Sequence, residues 1–249
     1  GAHGVSERYR KRARDRLKDA ASQDPFTATM AWGVTALVAA GAGQWADARK
    51  DCAASIGAAR ASGRARIVSQ TEILLALVDC HEGKAKNALA RLHDIEREIE
   101  RNGFRRGLTW VYATRAEAAY RIHDFALARG AAQDALRTAN EHGRPEDATR
   151  AHIMLARLDL KSDALETARA HLRDALPGLA ADSALAIQHL ESHCGAASVA
   201  IAVERRTGPS TPSAREMLAK LRSYARAYPI AGPRYADLRT LHDRRPDRR

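Results

Sequence analysis

Small and apolar residues recur along this chain every 40 positions. Ala36, Ala76, Ala116, Ala156 and Ala196 make one series, and Ala48, Ala88, Ala128 and Ala168 make a second. Trp45, Ala85, Phe125 and Leu165 make a third, always three residues ahead of the second-series alanine, and Gly63, Gly103 and Gly143 make a fourth. Four series in one register identify an internal repeat. The apolar share of the chain is largely Ala and Leu, which form helices readily, while β-branched residues are sparse. The repeat is therefore read as a helix–turn–helix unit.

Each series has a physical role in such a unit. The first alanine sits midway along the first helix, where two helices cross and only a small side chain lets the backbones approach. The position at 45, 85, 125 and 165 opens the second helix and fills the turn. The following alanine is a second close-contact point. The glycines end the second helix, where a left-handed cap residue is needed. Short polar turns separate the two helices at Gly43-Gln44, Gly83-Lys84, His123-Asp124 and Asp163-Ala164.

Five hairpins are predicted. They run over 25–63, 64–103, 104–143, 144 to about 182, and from near Ser183 onward. Pro25 suits a helix first turn. The fifth hairpin has an expanded Pro/Gly/Ser loop over 207–213, after which Ser213 and Glu216 have the spacing of a capping box. The domain plan is a basic N-terminal helix over 1–23 (a half-unit), repeats over 24–206, the loop, a final helix over 214–229, and a basic tail over 230–249. The expected architecture is an all-α, right-handed α-solenoid of five antiparallel helix–turn–helix units plus the half-unit. A unit cannot bury its apolar face alone, so neighbours stack into a continuous core.

The net charge of +11 is concentrated at the ends: residues 1–20 carry +4 and residues 239–249 carry +3. Solvated basic ends explain this better than a nucleic-acid footprint, which needs a continuous patch on a folded face. Three cysteines, Cys52, Cys80 and Cys194, with no Cys-x-x-Cys spacing argue against a disulfide framework and against a thiolate zinc site. No apolar run approaches the ~20 residues of a membrane span. The opening Gly1-Ala-His-Gly4 lacks signal-peptide form and reads as an appended leader on a piece of something larger. A cytoplasmic location is expected.

The unit resembles a tetratricopeptide repeat in a long, roughly 40-residue form. The likeness rests on Trp32, Ala36, Gly43-Gln-Trp45 and Ala48 in unit one. In unit three it rests on Tyr112, Ala116, Asp124-Phe125, Ala128 and Ala135-Leu136, and in unit four on Ala175-Leu176-Pro177. Ala85 replaces the turn aromatic in unit two, and unit five has the long loop. Asp24-Pro25-Phe26-Thr27, the 40-residue period and the stretch from Tyr228 to Arg234 are also similar to the C-terminal repeat arms of bacterial ATPase-linked transcription activators and class III adenylyl cyclases. That resemblance implies an arm that senses an effector or partner.

Groove positions implied by the repeat resemblance are Met30, Gly33 and Leu37, then Gln70, Ile73 and Leu77, mostly apolar. They continue as Trp110, Thr114, Glu117, Tyr120 and Arg121, then Arg150, Arg157 and Lys161, which are polar, aromatic and basic. The Lys and Asn pattern by which chaperone-type members hold a terminal carboxylate is missing. The candidate partner-binding set is Gln70, Trp110, Thr114, Glu117, Tyr120, Arg121, Arg150, Arg157 and Lys161. Such a surface suits an acidic extended peptide or an amphipathic helix.

No phosphate-cradling loop, nucleophile elbow or His-Glu-x-x-His motif is present. His189 and His193, four apart beside Cys194, are a metal candidate weighed against two ordinary polar residues on a helix. Cys52 and Cys80 read as core fillers. The acids from Asp94 to Glu100 alternate with bases at helical spacing and read as a solvated face. The expected function is a non-catalytic scaffold with no cofactor, binding a protein or peptide as the regulatory arm of a bacterial signalling protein. The alternative is a receptor for an anionic small-molecule effector in the same groove. Nucleic acid and membrane are not expected partners; self-association through the solenoid ends is open.

Overall fold

The computed structural model describes residues 2–20, 24–141, 145–180 and 187–244. Among them are thirteen α-helices and no strand. After α1 (Ala2–Ala20), paired helices follow: α2 (Pro25–Gly41) with α3 (Trp45–Ala61), α4 (Ala65–His81) with α5 (Ala85–Asn102), α6 (Arg106–Arg121) with α7 (Phe125–Glu141), and α8 (Pro145–Lys161) with α9 (Leu165–Asp174). A short α10 (Leu176–Ala180), then α11 (Leu190–Thr207), α12 (Ala214–Ala227) and α13 (Ala231–Asp243) complete the chain. The fold is an α-solenoid of helix–turn–helix units.

The repeat positions do what their chemistry demands. All nine alanines of the first two series are at most 1% exposed, as close helix crossings require. Trp45, Ala85, Phe125 and Leu165 are each the first residue of a second helix. Between the helices, Gly43, Gly83, His123 and Asp163 are left-handed, with φ of 75°, 79°, 63° and 57°. The next backbone N–H then reaches back to the first helix, Gln44 to Ala39 O at 2.9 Å, Lys84 to Asp79 O at 2.8 Å, Asp124 to Ala119 O at 3.0 Å and Ala164 to Asp159 O at 2.9 Å. This is one capping bond made four times, 40 residues apart. Gly63 and Gly103 are left-handed at the ends of α3 and α5; Gly143, Arg144, Asp182 and Ser183 lie outside the described residues.

Two compact units divide the chain at residues 128 and 129, within α7. In the first, α2 packs on α3, α3 on α4, α4 on α5 and α5 on α6, and α4 also meets α6. Ile73, Leu92, Ile95, Ile99 and Val111 form its main cluster, with Trp110 and Tyr112 packed at the edge. The N-terminal helix α1 packs on α2 and is tied to α3 by charge. Buried Arg10 reaches Gln44 at 2.7 Å and Asp47 at 3.1 Å, and Arg14 reaches fully buried Asp51 at 3.1 Å. Burial pushes the Asp51 carboxyl up, against the pull of Arg14 and Arg10.

In the second unit, α8 packs on α9, α10 and α11, and α11 on α12 and α13. Gly195 lets α11 approach α8, since a Cβ there would lie 2.5 Å from Ile153. Ser213 and Glu216 form the reciprocal capping box at the start of α12, and Asp24 caps α2 with Pro25 at its first turn.

Two departures from the expected plan have local causes. The second helix of the fourth hairpin breaks at Ala175, because Pro177 has no N–H for the carbonyl four residues earlier. Residues 230–249, expected as a tail, contain helix α13. Pro233 falls in its first turn, where a missing N–H costs little.

Candidate functional site

The expected groove residues are placed in both units. Gln70, on α4, is half-buried. On the neighbouring α6, Trp110 lies edge-on to Phe104 with ring centres 5.9 Å apart, and the Arg106 guanidinium sits 5.4 Å from its ring. Thr114 and Glu117 are buried. Tyr120 meets Phe125 at 5.5 Å. Arg121 donates to Glu117 Oε1 at 2.7 Å and lies 3.5 Å from His81 Nδ1. In the second unit, Arg157 is 3.9 Å from Glu191, Arg150 is half-buried and Lys161 is exposed. Much of this set is therefore engaged within the fold: Arg121 offsets the buried Glu117 charge, and Arg157 offsets that of Glu191.

Open surface of two other kinds is present. On α2, Phe26, Met30 and Val34 are exposed large apolar residues at i, i+4 and i+8, one helical stripe. The Arg64 guanidinium lies 4.0 Å over the Phe26 ring. Between α12 and α13 lies a cleft of about 500 Å³. Arg215, Arg222 and Arg226 line it from α12, and Tyr235, Arg239 and His242 from α13. Arg239 is paired with Asp243 at 3.5 Å. Arg215, Arg222 and Arg226 have no ion-pair partner among the described residues. Four guanidinium groups thus face one carboxylate. The signal was in the sequence: spacings of seven and four put all three α12 arginines on one face, but they read as part of a final helix beside a tail.

A third cluster is chemical in character. In α4–α5, Arg91 bridges Glu72 at 2.5 Å and buried Asp79 at 3.3 Å, while Arg49 also pairs with Asp79 and Glu82. Hydrogen bonds from Arg49 and Lys84 hold Glu82 below the usual carboxylate range. In α8–α9, Arg129 pairs with buried Asp159 at 2.8 Å, but His171 takes the place of Arg91 and His152 that of Glu72. The Nδ1 atoms of His152 and His171 are 3.1 Å apart, and His171 Nε2 is 3.8 Å from Asp159 Oδ2. Burial, and secondarily the neighbouring His171, pushes His152 below its ordinary value. Asp174 brings a carboxylate to the same point: one ligand atom from each of His152, His171 and Asp174 lies within 4.8 Å of the others.

The histidines singled out by the sequence do not form such a set among the described residues. His193 is buried against Tyr224, with ring centres 4.6 Å apart, and Cys194 is buried and forms no disulfide among the described residues. Cys52 and Cys80 are fully buried, and burial pushes the Cys52 thiol up to about 12.

The chain is similar in fold to BtubC (BKLC) from P. vanneervenii. The crystal structure of that protein matches with a TM-score of 0.62, covering 100% of this chain and 96% of that one at 13% sequence identity. At that identity the likeness establishes the fold alone. No family model matches the chain, and no curated protein matches it. No helix among the described residues is long and apolar enough to cross a membrane.

Proposed function

We propose that the protein is a non-catalytic helical-repeat scaffold that binds an acidic protein segment, with the α12–α13 cleft as its charged contact. The observation that carries this reading is the set of unpaired arginines Arg215, Arg222 and Arg226 beside Tyr235. By contrast, Arg49, Arg91, Arg121, Arg129 and Arg234 are paired with carboxylates of the fold. Unpaired arginines beside an aromatic ring are the residue types that anchor partners, and guanidinium matches a carboxylate with two parallel hydrogen bonds. A regulatory arm within a larger signalling protein is the biological setting that such a scaffold suits.

The test is fluorescence anisotropy with a labelled amphipathic helical peptide carrying glutamates at i and i+4. Binding is expected, weakening with salt as exposed charges are screened. Reversing Arg215, Arg222 and Arg226 to Glu should reduce it at least tenfold, with the helical signal unchanged because all three side chains are exposed. Unchanged affinity in the triple variant overturns the reading, as does tighter binding of a nucleic-acid duplex.

The cleft volume also falls in the range of small-ligand sites, which favours an anionic small molecule as the second reading. Stabilisation of the thermal transition by a mononucleotide, lost in the same triple variant, with no peptide binding, would select it.

A further inference from the structure

We infer that His152, His171 and Asp174 form a binding site for a divalent transition metal of the zinc class, with Asp159 positioning His171.

The donor set is right for such an ion. Two imidazole nitrogens and a carboxylate oxygen are ligands that zinc takes in three-residue sites, which keep a fourth position open. The geometry fits as well. Zinc–nitrogen bonds of about 2.0–2.1 Å in a tetrahedral arrangement separate two ligand nitrogens by about 3.3 Å. The two Nδ1 atoms are 3.1 Å apart, and all three ligand atoms fall within 4.8 Å of one another. The rings are tilted by 44° rather than stacked flat, so both lone pairs can converge on a point between α8 and α9, near Asp174.

An independent observation comes from behind His171. Asp159 is buried, and Arg129 engages its Oδ1 at 2.8 Å. Its Oδ2 has no hydrogen-bond partner among the described residues. A buried carboxylate oxygen in that state is costly, and the group that faces it, at 3.8 Å, is His171 Nε2. A histidine that binds a metal through one nitrogen commonly gives its other N–H to a carboxylate, which fixes the tautomer and the ring. Asp159 stands where that role requires: Nε2–H toward Asp159 leaves the Nδ1 lone pair for the ion. His152 would present its own Nδ1 lone pair by carrying its proton on Nε2, so no proton need leave the protein.

The repeat sharpens the case. Asp79 and Asp94 of α4–α5 recur as Asp159 and Asp174, 80 residues on, and Arg49 recurs as Arg129. The ion pair between them has changed, from Glu72 and Arg91 to two imidazoles, and Glu82 has become Ser162. One salt bridge has become a pair of imidazoles beside the Asp174 carboxylate.

Zinc titrated into the metal-stripped full chain, followed by calorimetry, should bind with one-to-one stoichiometry and raise the thermal transition. Cobalt at the same site should give the visible absorption of a tetrahedral ion. His152→Gln and His171→Gln should abolish saturable binding. Asp174→Asn, at an exposed position that leaves the core untouched, should weaken it at least tenfold, and so decides the matter even where a histidine variant folds poorly. Zinc affinity equal in wild type and Asp174→Asn overturns the assignment, as does a wild-type chain that takes up no zinc.

Discussion

The hairpins α4–α5 and α8–α9 stand in the same register of the repeat, yet they neutralise the same buried charge in different ways. In α4–α5, Asp79 is held between Arg49 and Arg91, and each arginine has a second acid to satisfy it, Glu82 and Glu72. That network is closed. In α8–α9, Asp159 keeps one arginine, Arg129, and its other side faces His171. That network is open by one charge. The backbone tolerates both because the fold needs only the alanine crossings and the left-handed turn. The charged layer over each crossing is therefore free to change, and it is there that chemistry other than folding can be placed.

The largest effect expected from this comparison is on stability. Arg129→Met removes the guanidinium paired with buried Asp159 and leaves that carboxylate facing the His171 ring at 3.8 Å. Stranding a buried carboxylate in this way costs about 3–5 kcal/mol. Arg49→Met removes the equivalent arginine, but Arg91 still reaches Asp79 at 3.3 Å, so the loss should be nearer that of one charged hydrogen bond, roughly 1–3 kcal/mol. Urea unfolding with chelator present measures both, provided the slope is unchanged. Equal losses would mean that His171 serves Asp159 as well as Arg91 serves Asp79, and the two networks would not differ.

The frame of this comparison was legible in the sequence. A helix crossing admits only a small side chain, so the constraint falls on single positions, and Ala36 through Ala196 record it at a constant interval. The turn was legible for the same reason, because the left-handed residue falls two places before Trp45, Ala85, Phe125 and Leu165. What the sequence concealed was pairing across helices. Nothing in the 30-residue separation of Arg49 and Asp79 marks them as partners until the two helices stack. The expected groove suffered from the same blindness. Thr114 and Glu117 read as polar surface, whereas Thr114 fills a buried position on α6 and Glu117 is buried beneath Arg121. The α12–α13 cleft was missed because a helix that opens with Pro233 in its first turn looked like a tail.

Exchange of the differing pair is the next test, with a smaller effect on stability and a larger one on metal binding. Glu72→His with Arg91→His copies the α8–α9 pair into α4–α5, where Asp94 and Asp79 already stand in for Asp174 and Asp159. A second zinc equivalent should appear in calorimetry. The reverse exchange, His152→Glu with His171→Arg, should remove the native zinc equivalent while changing metal-free stability by no more than about 1 kcal/mol, the scale of a partly exposed ion pair. A failed gain in α4–α5 alongside an intact native site would show that register alone does not place Asp94 as it places Asp174.

The smallest difference between the two hairpins lies in their turns, Gly83 in one and Asp163 in the other, both left-handed. A Cβ on Gly83 would touch nothing within 4 Å, so Gly83→Ala bears only the conformational cost of an L-residue at positive φ, about 1 kcal/mol. Asp163 bears part of that cost already, but aspartate accepts this region better than alanine does, and its carboxylate takes a 2.6 Å hydrogen bond from Arg206. Asp163→Gly relieves the backbone and at the same time gives up an exposed ion pair worth ~0–1 kcal/mol; it also frees the unfolded chain. These terms oppose one another, and the net change in the urea midpoint should correspond to less than about 0.5 kcal/mol. A loss of more than about 1 kcal/mol for Asp163→Gly would mean that Arg206 fastens α11 to this turn far more tightly than an exposed pair can, making the turn of α8–α9 a structural joint that the turn of α4–α5 is not.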